Sequence, residues 1–153
     1  HFTARRRNEW ASPDEMYDRF KDRPPFDRFQ PDVLRDYVNY GLKPNPNGAG
    51  YILACAPAYE SATYNYGSAA NIYPEIATIQ IPVTILRAGG QVNSNVSNLA
   101  ASPTATDLAS AFPNATDVPL PGYSHFIPME APERVADYVR KVAEVGTHGA
   151  APS

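Results

Sequence analysis

The chain has 153 residues, 43% of them hydrophobic and 19% charged, a usage that excludes disorder throughout and a length that buries roughly 70% of the unfolded surface, enough for one domain with its own core. The net charge of -3 is spread over interspersed acids and bases, without the basic stripe a phosphate backbone needs, and no apolar run reaches the roughly 18 residues that cross a bilayer. Neither nucleic acid nor a membrane span is expected.

Start chemistry for a first helix is clear in "SPDEMYDRF": Ser12 can cap, Pro13 suits the first helical position, and Glu15 completes a capping box. Met16 and Phe20 then share a face. The basic run Arg5 to Arg7 before it reads as a solvated helix face. A second helix, "QPDVLRDYVNYGL", starts at Pro31, carries Val33, Leu34, Tyr37 and Val38 on one stripe, and stops at Gly41, with Leu42 closing that end. "KPNPNGAG" is a loop by content. Cys55 is the only cysteine, which rules out an internal disulfide, and its apolar setting "ILACAP" predicts a small buried side chain. "PAYESATYNY" reads as a shorter third helix, so the first 75 residues, which hold the only Trp and most of the tyrosines, form a helical layer.

Beyond residue 75 the pattern changes. "IPVTILRAGG" holds a continuous apolar strand, Val83 to Leu86, of the kind buried on both faces of a parallel sheet. A polar loop from Gln91 to Ser102 follows, then a short helix from Thr106, a second strand in "ATDVPLP", a loop bearing His125, and a helix repeating Val135, Tyr138, Val139 and Val142. "GTHGAAPS" reads as a frayed tail. Alternating strands and helices imply a parallel sheet. Two strands do not make a stable sheet alone, so the others are expected from another copy of the chain or from the missing part of a longer protein.

The order "IPVTILRA", polar loop, helix, "ATDVPLPGYSHFIPMEAPERVADYV" resembles the closing third of an α/β-hydrolase, where an acid-bearing loop follows one strand and the catalytic-histidine loop follows the last. "ARRRNEWASPDEM", "LRDYVNYGL" and "LACAPAYESATY" resemble the helical cap of fungal members similar to peroxisomal lipases and toxin-biosynthesis hydrolases. The resemblance implies an α/β fold with residues 1–75 as cap, 76–148 as the C-terminal core segment and 149–153 as tail. It implies His125 as general base and a complete domain of the order of 250 residues, with the oxyanion loop and the nucleophile elbow lying before the cap. No G-x-S-x-G occurs here. "GYSHF" is a near miss, and Ser124 reads as a decoy.

A base of this kind is oriented by a carboxylate. The loop where the family places it, "GGQVNSNVSN", has none; Gln91 or Asn93 holds the position. Asp107 reads as a helix cap, Asp117 as a solvent-facing strand residue, and Glu130 and Glu133 as acids favouring a helix N-terminus. Tyr37, Tyr59 and Tyr64 read first as packing residues and second as the lining of a substrate pocket. His1 and His148 sit at the ends, without metal-ligand spacing, and neither metal nor cofactor is expected. The implied activity is hydrolysis of a carboxylic ester or related acyl substrate by a nucleophile outside these residues. Epoxide hydrolysis by an upstream Asp, and a non-catalytic binding role, stand as alternatives.

Overall fold

A computed structural model of the chain describes residues 2–66, 71–89 and 102–148, and the first helix begins where the cap chemistry places it. In α1 (Pro13–Phe20) the Ser12 hydroxyl accepts the Glu15 N–H at 3.1 Å. The Glu15 carboxylate reaches back to the Ala11 N–H at 2.8 Å, one residue ahead of the cap, and takes Arg7 at 2.6 Å. Arg7 also lies over the Trp10 ring, and Arg6 pairs with Glu60. Both arginines are thus held in ion pairs, Arg6 half-buried and Arg7 exposed like Arg5, as expected of a solvated face.

Helix α2 (Pro31–Tyr40) buries Leu34 and Val38 on the predicted stripe. It stops at Gly41 as expected. Gly41 keeps a right-handed φ of -77°, and glycine is required because a Cβ there would meet the Tyr37 carbonyl oxygen at 2.4 Å. Leu42 is buried as expected, but as the first residue of a strand.

The helical layer also contains a small antiparallel sheet that the sequence did not disclose: β1 (Glu9–Trp10), β2 (Leu42–Pro44) and β3 (Tyr51–Leu53), in the order β1-β3-β2. Strands of two or three residues are too short to display alternation. Gly50 turns into β3 with φ of 79°, where a side chain would strike the Trp10 carbonyl at 2.5 Å. Around this sheet Trp10, Met16, Phe29, Leu34, Val38, Leu42 and Leu53 form the first core. Cys55, just beyond β3, is exposed, contrary to its apolar sequence setting, because the chain leaves the core after Leu53, the last residue of the strand. Helix α3 (Pro57–Tyr66) follows, with Tyr59 and Tyr64 at 74% and 58% exposure, so neither packs as Tyr37 does.

After the short α4 (Tyr73–Ile76), strands β4 (Val83–Ala88) and β5 (Ala115–Leu120) pair in parallel, Val83 opposite Ala115 through Ala88 opposite Leu120. Arg87 and Asp117 pair across them at 2.6 Å, so Asp117 is held by its neighbour strand and does not face solvent alone. The helix expected from Thr106 shrinks to a 3-10 turn at Leu108–Ala111, with Asp107 at its cap position making no side-chain bond. Only Ala88 of β4 is buried: burial on both faces, expected of this strand, is not met. Helix α5 (Ile127–Glu130) and the long α6 (Pro132–His148) complete the described residues. Helix α6 incorporates Gly146 to His148, the start of the expected tail. Its Val139 and Val142 are 64% and 53% exposed, leaving half of the predicted stripe without a partner among the described residues.

Candidate active site

The second core is small: Ala88 and Leu120 at the C-terminal ends of β4 and β5, and Ile127 of α5. The loop between β5 and α5 lies where the two cores meet. Ile127 belongs to the second core, whereas Phe126 and Met129 pack on the first. The polypeptide that carries His125 is thus anchored from both sides, at the carboxyl end of the parallel strands, where open α/β sheets hold their ligands.

A buried carboxylate fixes the loop's shape. The Glu130 side chain is 4% exposed and accepts the Ser124 N–H at 3.3 Å on both oxygens, as well as the Ser124 hydroxyl proton. The Ser124 oxygen in turn accepts the Phe126 N–H at 3.2 Å. Both neighbours of His125 are held by one network. Arg28, from the 3-10 turn Phe26–Arg28, pairs with Glu130 at 2.9 Å and donates to the Gly122 carbonyl at 2.7 Å. Gln30 donates its backbone N–H to the Met129 carbonyl and its side-chain amide to the Glu130 carbonyl. Glu130 therefore ends α5 and turns back into the loop; it does not serve the N-terminus of α6, as its position suggested. Arg28 and Gln30 were invisible in sequence, because their partners lie about a hundred residues further along the chain.

Ser124 is 1% exposed, and a hydroxyl so enclosed and tied to a carboxylate is not placed for attack. The His125 ring packs on Phe126, centroids 4.0 Å apart. Its Nδ1 is buried and has no hydrogen-bond partner among the described residues. A buried polar nitrogen left unpaired costs about 1–3 kcal/mol, and in a histidine base Nδ1 is the atom an orienting acid or amide holds. Gln91 and Asn93, expected near it, lie outside the described residues, as do His1 and the tail from 149 to 153. Glu133 is exposed and pairs with Arg140.

Phe126 also lines a cavity of about 210 Å³. Phe26, Tyr37 and Tyr64 wall it together with an ion pair, Arg6 to Glu60 at 2.6 Å, both side chains a little over one quarter exposed. Burial would depress the Arg6 guanidinium, but Tyr37 and Glu60 beside it hold its pKa above the ordinary value. Tyr64, exposed on its outer side, thus still lines a pocket. Among the described residues no cluster of His, Cys, Asp or Glu converges as metal ligands would, and no helix is long and apolar enough to cross a membrane.

No family model and no curated protein matches the sequence. A solved structure, the crystal structure of E-2-(acetamidomethylene)succinate hydrolase, superimposes with a TM-score of 0.63 at 18% identity, over 89% of this chain and 47% of that one. The chain spans about half the length of that structure. At this identity the likeness shows the fold alone: a mixed α/β arrangement in which two parallel strands are flanked by helices.

Proposed function

We propose that the chain is the cap and C-terminal catalytic segment of an α/β-hydrolase that cleaves a carboxylic ester or related acyl compound, with His125 as general base. The observation that carries this reading is the unpaired, buried Nδ1 of a histidine whose two neighbours are rigidly held at the carboxyl end of a parallel strand. A ring nitrogen kept buried without a partner wastes stability unless another group completes it, and a fixed backbone is what proton transfer at a set distance requires. Residues 1–75 act as the cap and 76–148 as the core segment. The nucleophile comes from outside these residues, since Ser124 is sealed in the loop network.

The incomplete sheet supports the same division. Ile81, Val118, Tyr138 and Val142 border an apolar groove of about 510 Å³ between the sheet and α6. An α/β sheet carries helices or further strands on such a surface, and the other half of the hydrolase domain is the occupant proposed here. Phosphonate labelling of the completed enzyme, followed by peptide mass spectrometry, tests the reading. Label on a residue outside the 153, lost in His125→Ala, is expected, and label on Ser124 would overturn it. The second reading, epoxide hydrolysis by an Asp nucleophile, draws on Tyr37 and Tyr64 as hydroxyl donors on the cavity wall. Turnover of styrene oxide in place of esters would favour it.

A further inference from the structure

We infer that the cavity walled by Arg6, Glu60, Tyr37 and Phe126 is a substrate subsite for an uncharged group that both donates and accepts hydrogen bonds, a carboxamide being the best match. The assignment rests on the reading of the His125 loop as one wall of the active site, because Phe126 is the residue the cavity and the histidine share.

Size comes first. At about 210 Å³ the cavity is smaller than the roughly 300–1,000 Å³ of a site that holds a whole drug-sized ligand. It accommodates one end of a substrate. Its walls are apolar at Phe26 and Phe126 and polar where the ion pair sits, so the end that enters is polar at the tip and apolar along the stem.

Charge decides the chemistry of the tip. Glu60 engages a single guanidinium nitrogen, Nη1, through both carboxylate oxygens at 2.8 and 2.6 Å. A guanidinium has five N–H donors, and a carboxylate has about four lone-pair sites. Tyr37 takes a further bond of the guanidinium, and the pair still holds donors and acceptors side by side while its net charge is zero. A carboxamide, whose carbonyl accepts and whose NH₂ donates, answers both. A carboxylate would bring a second anion to a cation already neutralised, at a site only about one quarter exposed, and like charges there are repulsive. An ammonium would meet the same objection from Arg6. Glu60 is thus a specificity-determining residue that excludes anions.

The test is a titration of the ¹⁵N-labelled protein with three probes of equal length, butyramide, butyrate and 2-pentanone, read from amide shifts. Butyramide should shift Arg6, Tyr37 and Phe126 and bind the cavity about fivefold more tightly than butyrate, the scale of one partly exposed charge interaction. Pentanone, an acceptor only, should fall below butyramide. Glu60→Gln should reverse the order in favour of butyrate. Glu60→Asp, which keeps the charge, should retain the amide preference even where packing loosens. Equal binding of butyrate to the unaltered protein, shifts confined to other residues, no binding of any probe, or an unchanged order in Glu60→Gln would each overturn the subsite. Ester turnover that survives His125→Ala while the amide preference persists would remove the catalytic reading and leave the pocket. Turnover that depends on His125 with no amide preference would do the reverse.

Discussion

Replacing Glu130 by alanine removes the acceptor for two donors of Ser124, a residue 1% exposed to solvent. Water cannot replace that acceptor without opening the loop. Each buried donor left unpaired costs about 1–3 kcal/mol, so the two together cost about 2–6 kcal/mol. The Arg28 side chain is 45% exposed and can return to water, so its share is about 0–1 kcal/mol. The sum is a large part of the roughly 5–15 kcal/mol that holds a typical domain folded. Glu130→Gln keeps the length and one carbonyl acceptor, and should cost about 1–2 kcal/mol, the difference between bonds to a charged and to a neutral acceptor. Urea unfolding followed by circular dichroism gives these values. Hydrogen exchange at Ser124 and Phe126 localises the effect, since both N–H groups are bonded within the network. A stability of Glu130→Ala within about 0.5 kcal/mol of the parent, the range of an unremarkable surface substitution, would show that the carboxylate does not hold the loop.

Gly89 follows β4 so closely on Pro121 that a Cβ would lie 2.2 Å from the Pro121 Cα. Gly89→Ala should therefore unfold the protein or spread the ends of β4 and β5, seen as loss of the Gly89 to Leu120 backbone bond in hydrogen exchange. Ser12→Ala should cost about 1 kcal/mol by removing the cap of α1, with Ser12→Gly costing less, measured by thermal unfolding. Arg87 holds the Asp117 carboxyl below its ordinary value of 3.8. Stability from that pair is present above pH 3.8 and lost as pH falls through the lower folded value, so Asp117→Asn should flatten the acid limb of the stability profile and leave the neutral limb parallel. Val142→Lys should reduce self-association of the isolated chain in sedimentation, because Val142 borders the uncovered groove; a parent that sediments as a well-folded monomer would count against the proposed half-sheet.

What the sequence disclosed was what local chemistry determines. Ser12, Pro13 and Glu15 mark α1 because a cap is built from adjacent residues, and "IPVTILRA" reads as a strand because it holds an apolar run bounded by turn residues. The likeness of "SHFIPMEAPERVADYV" to a histidine loop and its helix pointed to the fold before any contact was known. The antiparallel sheet stayed hidden because its strands are two or three residues long. Glu130 differs for another reason: its place in sequence suggests service to a helix terminus, while the fold gives it a buried serine and a distant arginine. Cys55 shows the same limit in reverse, a residue with apolar neighbours in sequence that is itself exposed in space. The pairing of Arg6 with Glu60 joins residues 54 apart, a separation at which one sequence carries no signal.

The proposed role of His125 is tested most directly by p-nitrophenyl butyrate turnover in the proposed complete hydrolase, with His125→Ala compared with the parent at equal fold by circular dichroism. A general base at His125 predicts a fall in kcat of about 10²–10⁴-fold. Turnover within about twofold of the parent, well short of what removal of a base produces, would contradict it.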